Sequence, residues 1–266
     1  MAVLWADPGD RVHYLDFGGP HDGPVVVAVH GLSGSALNWL AIAPLLTGRC
    51  RLLAPDLAGH GLTRARERRS GAAADRLLLH RFVERVAGVP VILMGNSMGG
   101  MISLLEAAAN PDAVAGLVLL DVAGPFGRAL PDPMVAAVFA LYGMPWLGTL
   151  AMARHRAMPA RTSCGRPDRS CGRRPGCRTG LSYRAASRSV RVPALLVHGE
   201  RDRLVPVAAS RTLARAHPSW RLIVLDGVGH TPQLEAPQET ADAVLRRLDG
   251  ESQAVQAARH RFARQA

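Results

Sequence analysis

Short apolar runs recur along the chain with helix-compatible stretches between them. Arg11 to Phe17 alternates apolar and polar positions and predicts a strand, closed by Gly18-Gly19-Pro20. Val25 to Val29 is continuous and rich in valine, the pattern of a strand buried on both faces of a parallel sheet. It ends at His30-Gly31-Leu32-Ser33-Gly34-Ser35, and a helix is expected from about Ala36 to Leu46. Arg51 to Pro55 predicts the next strand, followed by the loop Asp56-Leu57-Ala58-Gly59-His60-Gly61, an arginine-rich connection (Arg64 to Arg69) and a helix from about Asp75 to Val86. Leu117 to Leu120 predicts a further strand. Alternation of strand and helix implies a parallel sheet with helices on both faces.

The most informative stretch is Pro90-Val91-Ile92-Leu93-Met94-Gly95-Asn96-Ser97-Met98-Gly99-Gly100, an apolar run ending in a serine boxed by glycines and leading into a helix from Met101 to Ala109. A strand that turns sharply into a helix forces its turn residue into a strained conformation. Gly95 and Gly99 remove the Cβ atoms that would clash there. The Ser97 hydroxyl is then lifted out at the C-terminal end of a strand, with the Met98 N–H beside it at a helix N-terminus. That is a place for a nucleophile.

After Asp121 the rhythm breaks, and about seventy residues pass before the strand expected at Ala194 to Val197. Met134 to Ala153 carries no charge, but Gly143, Pro145 and Gly148 interrupt it, and the strands on either side must rejoin one sheet. Two short apolar helices forming a cap fit better than a membrane span, with Phe139, Tyr142 and Trp146 as candidate substrate-binding walls. The second half, Arg154 to Arg191, holds no periodic apolar positions. Two readings stand: a disordered basic loop, or the out-of-frame translation of a cap helix, with the frame regained near Tyr183. The second is favoured. The sheet pattern returns with Pro193 to His198, a helix from about Val207 to Ala216, the strand Trp220 to Leu225 and a helix from about Pro237 to Leu248.

The expected fold class is therefore α/β, a doubly wound and mostly parallel sheet with a helical cap inserted between two strands. Its divisions are a first core part (1–124), a cap insertion (125–191, abnormal over 154–191), a second core part (192–250) and a flexible tail (251–266). The 266 residues suffice for one large core. The N-terminus lacks a basic stretch followed by an apolar one, so a cytoplasmic protein is expected.

Charge changes the picture less than its sum suggests. Of the net +11, the segment Arg154 to Arg191 contributes +10, from eleven arginines and the single acid Asp168. A nucleic-acid groove would draw its charge from several elements, so no nucleic-acid partner is expected. Cys50, Cys164, Cys171 and Cys177 form no Cys-x-x-Cys pair, which leaves neither zinc nor a redox motif supported.

A serine hydroxyl needs a base to take its proton, and the base needs an acid to fix its tautomer. Asp202, in Gly199-Glu200-Arg201-Asp202-Arg203-Leu204-Val205-Pro206, and His230, in Gly227-Val228-Gly229-His230-Thr231-Pro232, each follow the C-terminal end of a strand. In a parallel sheet they share an edge with Ser97. Asp121 also follows a strand end and is an alternative acid. His30 and His60 are expected to hold loops, while His198 and Glu106 are read as core or surface residues.

On His30-Gly31-Leu32, Asp56-Leu57-Ala58-Gly59-His60-Gly61, Gly95-Asn96-Ser97-Met98-Gly99-Gly100 and Asp202 with Gly229-His230, the chain resembles the α/β-hydrolase fold superfamily from about Val12 to Leu248, apart from Arg154 to Arg191. The resemblance implies Ser97 as nucleophile, His230 as base and then acid, Asp202 as orienting carboxylate, and the N–H groups of Leu32 and Met98 as oxyanion hole. A serine at the elbow separates it from the dehalogenase and epoxide-hydrolase branches, which carry aspartate there. The elbow is similar to that of meta-cleavage-product hydrolases, although the loop after His30-Gly31 lacks their Gly-Pro-Gly character, and simple carboxylesterases are similar too. Ester hydrolysis on a small or medium apolar acyl substrate is the expected activity, with C–C bond hydrolysis as runner-up. A ligand-binding protein without catalysis and a damaged gene product are the readings from other classes. No cofactor or metal is implied, and the sequence leaves the oligomeric state open.

Overall fold

The computed structural model describes residues 1–7, 11–64, 72–122 and 183–262. Among these residues eight strands form one sheet in the order β1-β2-β4-β3-β5-β6-β7-β8: β1 (Ala2–Ala6), β2 (Val12–Gly18), β3 (Val25–Val29), β4 (Arg51–Pro55), β5 (Val91–Asn96), β6 (Val114–Leu120), β7 (Ala194–Gly199) and β8 (Arg221–Leu225). β1 and β2 are antiparallel to their neighbours, and every pairing from β3 to β8 is parallel. The chain steps from β3 outward to β4 and then back across to β5. The order therefore reverses between β3 and β5, the switch point at whose C-terminal strand ends open α/β sheets bind their ligands.

The continuous apolar runs are explained by two cores, one on each face. Val25, Val27, Val29, Leu93, Leu117, Leu119 and Leu196 face one layer, which also receives Leu79, Phe82, Ile102, Leu104 and Leu213. Val26, Ala28, Ile92, Met94, Val118, Leu120, Leu195 and Val197 face the other, packed with Trp39, Ile42, Leu46, Ala241 and Val244. Successive residues of a strand point to opposite faces, so a strand covered twice must be apolar throughout.

Among the described residues the α-helices are α1 (Ala43–Leu46), α2 (Ala72–Phe82), α3 (Met98–Ala109), α4 (Tyr183–Ser189), α5 (Ala208–Ala216), α6 (Pro232–Glu235) and α7 (Pro237–Phe262). Several differ from expectation, among them α2, which begins at Ala72 and gives way to a π turn, Val83–Ala87, and α6, which was not expected. The helix expected over 36–46 is split into a 3-10 turn, Ala36–Trp39, and α1. Pro44 lies in the first turn of α1 and has no N–H to give residue 40, so an unbroken helix cannot pass through it. The helix after the elbow begins at Met98 rather than Met101. At the C-terminus α7 continues past Gly250 to Phe262, because a single glycine costs a helix only about 1 kcal/mol and Glu251 to Phe262 is rich in Ala, Gln and Arg. β1 was not expected at all.

β6 and β7 are adjacent, so the segment between them leaves and re-enters the sheet at neighbouring strands. Phe139, Tyr142 and Trp146 lie outside the described residues, as does the segment assigned to the cap up to residue 182, whereas its end differs from expectation: α4 is helical, and Ala186 and Val190, read as part of a stretch without core positions, are buried. Among the described residues no helix is long and apolar enough to cross a membrane.

Candidate active site

Ser97 joins β5 to α3 with φ 53° and ψ −114°, a conformation that a non-glycine residue holds only under constraint from its surroundings. The constraint is visible. Ser97 N donates to Leu120 O at 2.9 Å, which ties the turn to the end of β6. A Cβ on Gly99 would lie 2.1 Å from Val29 O, and one on Gly95 would lie 2.5 Å from Gly99 O. Only glycine lets the end of β3, the end of β5 and the start of α3 meet this closely. Gly31 is packed against the turn as well: its Cβ would lie 3.4 Å from Ser97 Cβ. Leu32 and Met98 are the two residues assigned to an oxyanion hole. One follows Gly31 and the other opens α3, whose first N–H groups have no partner within the helix.

Asp202 and His230 come together from the loops after β7 and β8. Asp202 Oδ2 lies 2.7 Å from His230 Nδ1. A carboxylate only accepts, so Nδ1 carries the proton and Nε2 is left with its lone pair. Asp202 Oδ1 accepts from Leu204 N at 2.7 Å and Val205 N at 2.9 Å. Burial pushes this carboxyl up, but the hydrogen bond and charge of His230 together with the Val205 N–H outweigh it and hold Asp202 below its usual range. The loops approach through Gly199, whose Cβ would stand 2.0 Å from Gly229 O.

Two residues that sequence reasoning missed fix the His230 backbone. Asn96, the residue before Ser97, donates from Nδ2 to His230 O at 3.1 Å, joining the loop after β8 directly to the serine turn. Glu235, in α6, accepts from Gly229 N at 2.8 Å, Thr231 N at 2.9 Å and Thr231 Oγ1 at 2.8 Å. Those bonds overcome the effect of burial and keep Glu235 below its usual range. The available signal was the spacing in Thr231-Pro232-Gln233-Leu234-Glu235, a hydroxyl residue, a proline at a helix start and a glutamate four positions on.

The remaining histidines near the strand ends are committed elsewhere. His30 donates from Nδ1 to Gly31 O at 2.8 Å and accepts from Leu57 N at 3.0 Å through Nε2. Burial lowers it to about 4, so it remains neutral and ties together the two loops after β3 and β4. His60 bonds Ala58 O at 3.0 Å and leans on the His30 ring. His198 is fully buried in β7. Its Nε2 must donate to Val205 O at 2.9 Å, and its Nδ1 meets Ser210 Oγ at 2.7 Å. Nε2 also lies 3.4 Å from Asp121 Oδ1 and 3.5 Å from Asp202 Oδ2, but its proton is already given to the carbonyl. Neither nitrogen of His198 therefore has a lone pair to offer a metal or a substrate proton. Glu106 is buried and paired with Arg76, His80 and Asn110, which joins α2 to α3.

Asp56 organises the rim. It accepts from Ala36 N at 2.7 Å and Leu62 N at 2.8 Å and meets His13 Nδ1 at 2.6 Å, holding the 3-10 turn, the loop after β4 and β2 to one carboxylate.

Comparison with known proteins shows the family to which the fold belongs. A pimeloyl-[acyl-carrier protein] methyl ester esterase of Aromatoleum aromaticum is 31% identical over 244 residues, covering 82% of this chain and 95% of that protein. Lipase 1 of Psychrobacter immobilis is 26% identical over 263 residues, covering 88% of this chain and 79% of that protein. Among solved structures, the carboxylesterase CesB of Bacillus subtilis superposes with a TM-score of 0.71 at 19% identity, covering 94% of this chain and 92% of that one. A serine hydrolase involved in carbazole degradation superposes with a TM-score of 0.69 at 22% identity, covering 93% of this chain and 98% of that one. The model of the alpha/beta hydrolase family matches residues 26–243, from β3 through the serine turn to α7, and the chain belongs to that family.

Proposed function

We propose that the protein is a serine hydrolase acting on carboxylic esters of small or medium apolar acyl groups, with Ser97, His230 and Asp202 as its triad and the N–H groups of Leu32 and Met98 as its oxyanion hole. The observation that carries this reading is the 2.7 Å contact of Asp202 with His230 Nδ1, on a loop that Asn96 fastens to the strained serine turn. His230 Nε2 takes the hydroxyl proton as Ser97 Oγ attacks the ester carbonyl carbon. The resulting oxyanion is stabilised by the two N–H groups, each such donor contributing about 3 kcal/mol. Collapse breaks the bond to the leaving alcohol, which departs with the proton from His230 and leaves an acyl-serine. Water, deprotonated by the same Nε2, attacks that ester, and collapse returns the proton to Ser97 and releases the acid. Asp202 keeps the Nδ1 proton throughout and stabilises the imidazolium.

Relatives named as a methyl ester esterase and a lipase support ester chemistry. Cleavage of a C–C bond is the second reading, favoured by the Gly-Asn-Ser-Met-Gly-Gly elbow alone. Steady-state kinetics on nitrophenyl esters of increasing acyl length, beside a vinylogous 1,5-diketone acid of the meta-cleavage type, separate the two. Ester turnover that peaks at short or medium chains supports the first reading. Turnover of the diketone acid with negligible esterase activity overturns it in favour of the second.

A further inference from the structure

Asp121 has no role in the chemistry just described, yet it is among the most constrained residues of the molecule. It follows β6 directly with φ 45°, one of three described non-glycine residues with positive φ, and its side chain is fully buried. Its backbone N donates to Val197 O at 3.0 Å, and its Oδ1 accepts from Gly199 N at 3.0 Å. Its Oδ2 is buried without any donor to it. A side-chain oxygen of Asp121, a side-chain oxygen of Asp202 and a ring nitrogen of His198 all lie within 4.8 Å of one another.

Two carboxylates this close in a dry place cannot both be ionised unless a cation joins them. The titratable groups that face the pair are His198 in β7, His230 after β8 and Glu235 in α6, and Arg211 in α5 acts on His198. His198 is held neutral by burial and gives its Nε2 proton to Val205 O. Glu235 adds negative charge. His230 already serves Asp202 Oδ2. No described cation pairs with Asp121, whereas a proton on its unpartnered Oδ2 resolves both problems at once: the pair then carries one negative charge, and an oxygen that lacked a donor becomes a donor itself.

We propose that Asp121 is a positioning residue, a carboxylic acid that stays protonated and donates a hydrogen bond to Asp202, so that the pair carries one negative charge and Asp202 is steadied against His230. The inference rests on the reading of Ser97, His230 and Asp202 as a triad for its catalytic consequence, but not for the protonation itself. Burial and the neighbouring Asp202 charge agree with it, pushing Asp121 up to about 9.

The test separates the two. Asparagine reproduces a protonated aspartate here, with its carbonyl on Gly199 N and its amide toward Asp202. Asp121→Asn is expected to keep kcat within about threefold, with the acid limb of the pH profile unmoved, while Asp121→Ala loses about 10–100-fold in kcat with little change in KM. The infrared difference spectrum of wild type minus Asp121→Asn at pH 7 is expected to contain a carboxylic-acid C=O band, and the same band is expected in a Ser97→Ala background. Should Asp121→Ala fail to fold, the infrared band still decides. Absence of the band, or a loss in Asp121→Asn as large as in Asp121→Ala, overturns the inference. Esterase activity that survives Ser97→Ala overturns the triad reading and leaves the band to be judged on its own.

Discussion

His198 and His230 lie within reach of the same carboxylate, Asp202, at 3.5 and 2.7 Å, yet they present opposite chemistry. His198 stands inside β7, wholly buried, with both nitrogens committed to Val205 O and Ser210. His230 stands in a loop, 14% exposed, with one nitrogen on Asp202 and the other left open. Proximity to an acid therefore does not make a base. What distinguishes the two is a free lone pair on a side chain whose backbone is held, and Asn96 and Glu235 do the holding.

Substitutions break this comparison in graded steps. Ser97→Ala and His230→Ala are each expected to lower kcat by about 10^4-fold or more, because the triad acts as a unit. His198→Gln, by contrast, is expected to cost less than about tenfold in kcat and about 1–3 kcal/mol of stability, from a buried hydrogen bond that no longer fits. Equal kinetic losses at the two histidines, in initial-rate assays on folded protein, would contradict the distinction. Asp202→Asn is expected to lower kcat by about 10^3–10^4-fold through the wrong imidazole tautomer.

Stability against pH sharpens the contrast between the two acids. Asp121 has a raised value in the folded protein, about 9 against roughly 3.9 unfolded, so the stability it contributes is complete below pH 4 and is lost as pH climbs toward 9. Asp121→Asn lacks this loss. Urea unfolding is expected to find the two proteins alike near pH 4 and the variant more stable by about 2–4 kcal/mol at pH 7. A variant less stable at pH 7 than at pH 4, relative to wild type, reverses the sign and refutes a protonated Asp121. The smallest effects are expected at the backbone holders. Asn96→Ala and Glu235→Gln should each lower kcat by about tenfold with KM nearly unchanged, and their double variant should show coupling through the shared His230 loop.

Most of the sheet was legible because its strands are covered twice: β3, β5, β6 and β7 cannot avoid writing continuous apolar runs. β1 was missed because it is an antiparallel edge strand whose Val3, Leu4 and Trp5 are exposed, so burial imposes no pattern on it. Helix lengths failed where one proline or one glycine decided them, at Pro44 and Gly250. For the candidate site, Ser97, Asp202 and His230 were readable from glycines and strand ends, which are local features. Asn96, Asp121 and Glu235 were not read for what they do, since those roles exist only when segments as much as 134 residues apart are brought together. Phe139, Tyr142 and Trp146, the walls that would set the acyl length, lie outside the described residues.

The central claim is that Ser97 is an activated nucleophile whose base is His230, and a fluorophosphonate reagent tests it directly. The expected result is a single adduct mapped by mass spectrometry to Ser97, formed at a rate that collapses in His230→Ala and persists in His198→Gln. An adduct on another residue, or labelling of Ser97 that is indifferent to His230 in protein shown by circular dichroism to be folded, would contradict it.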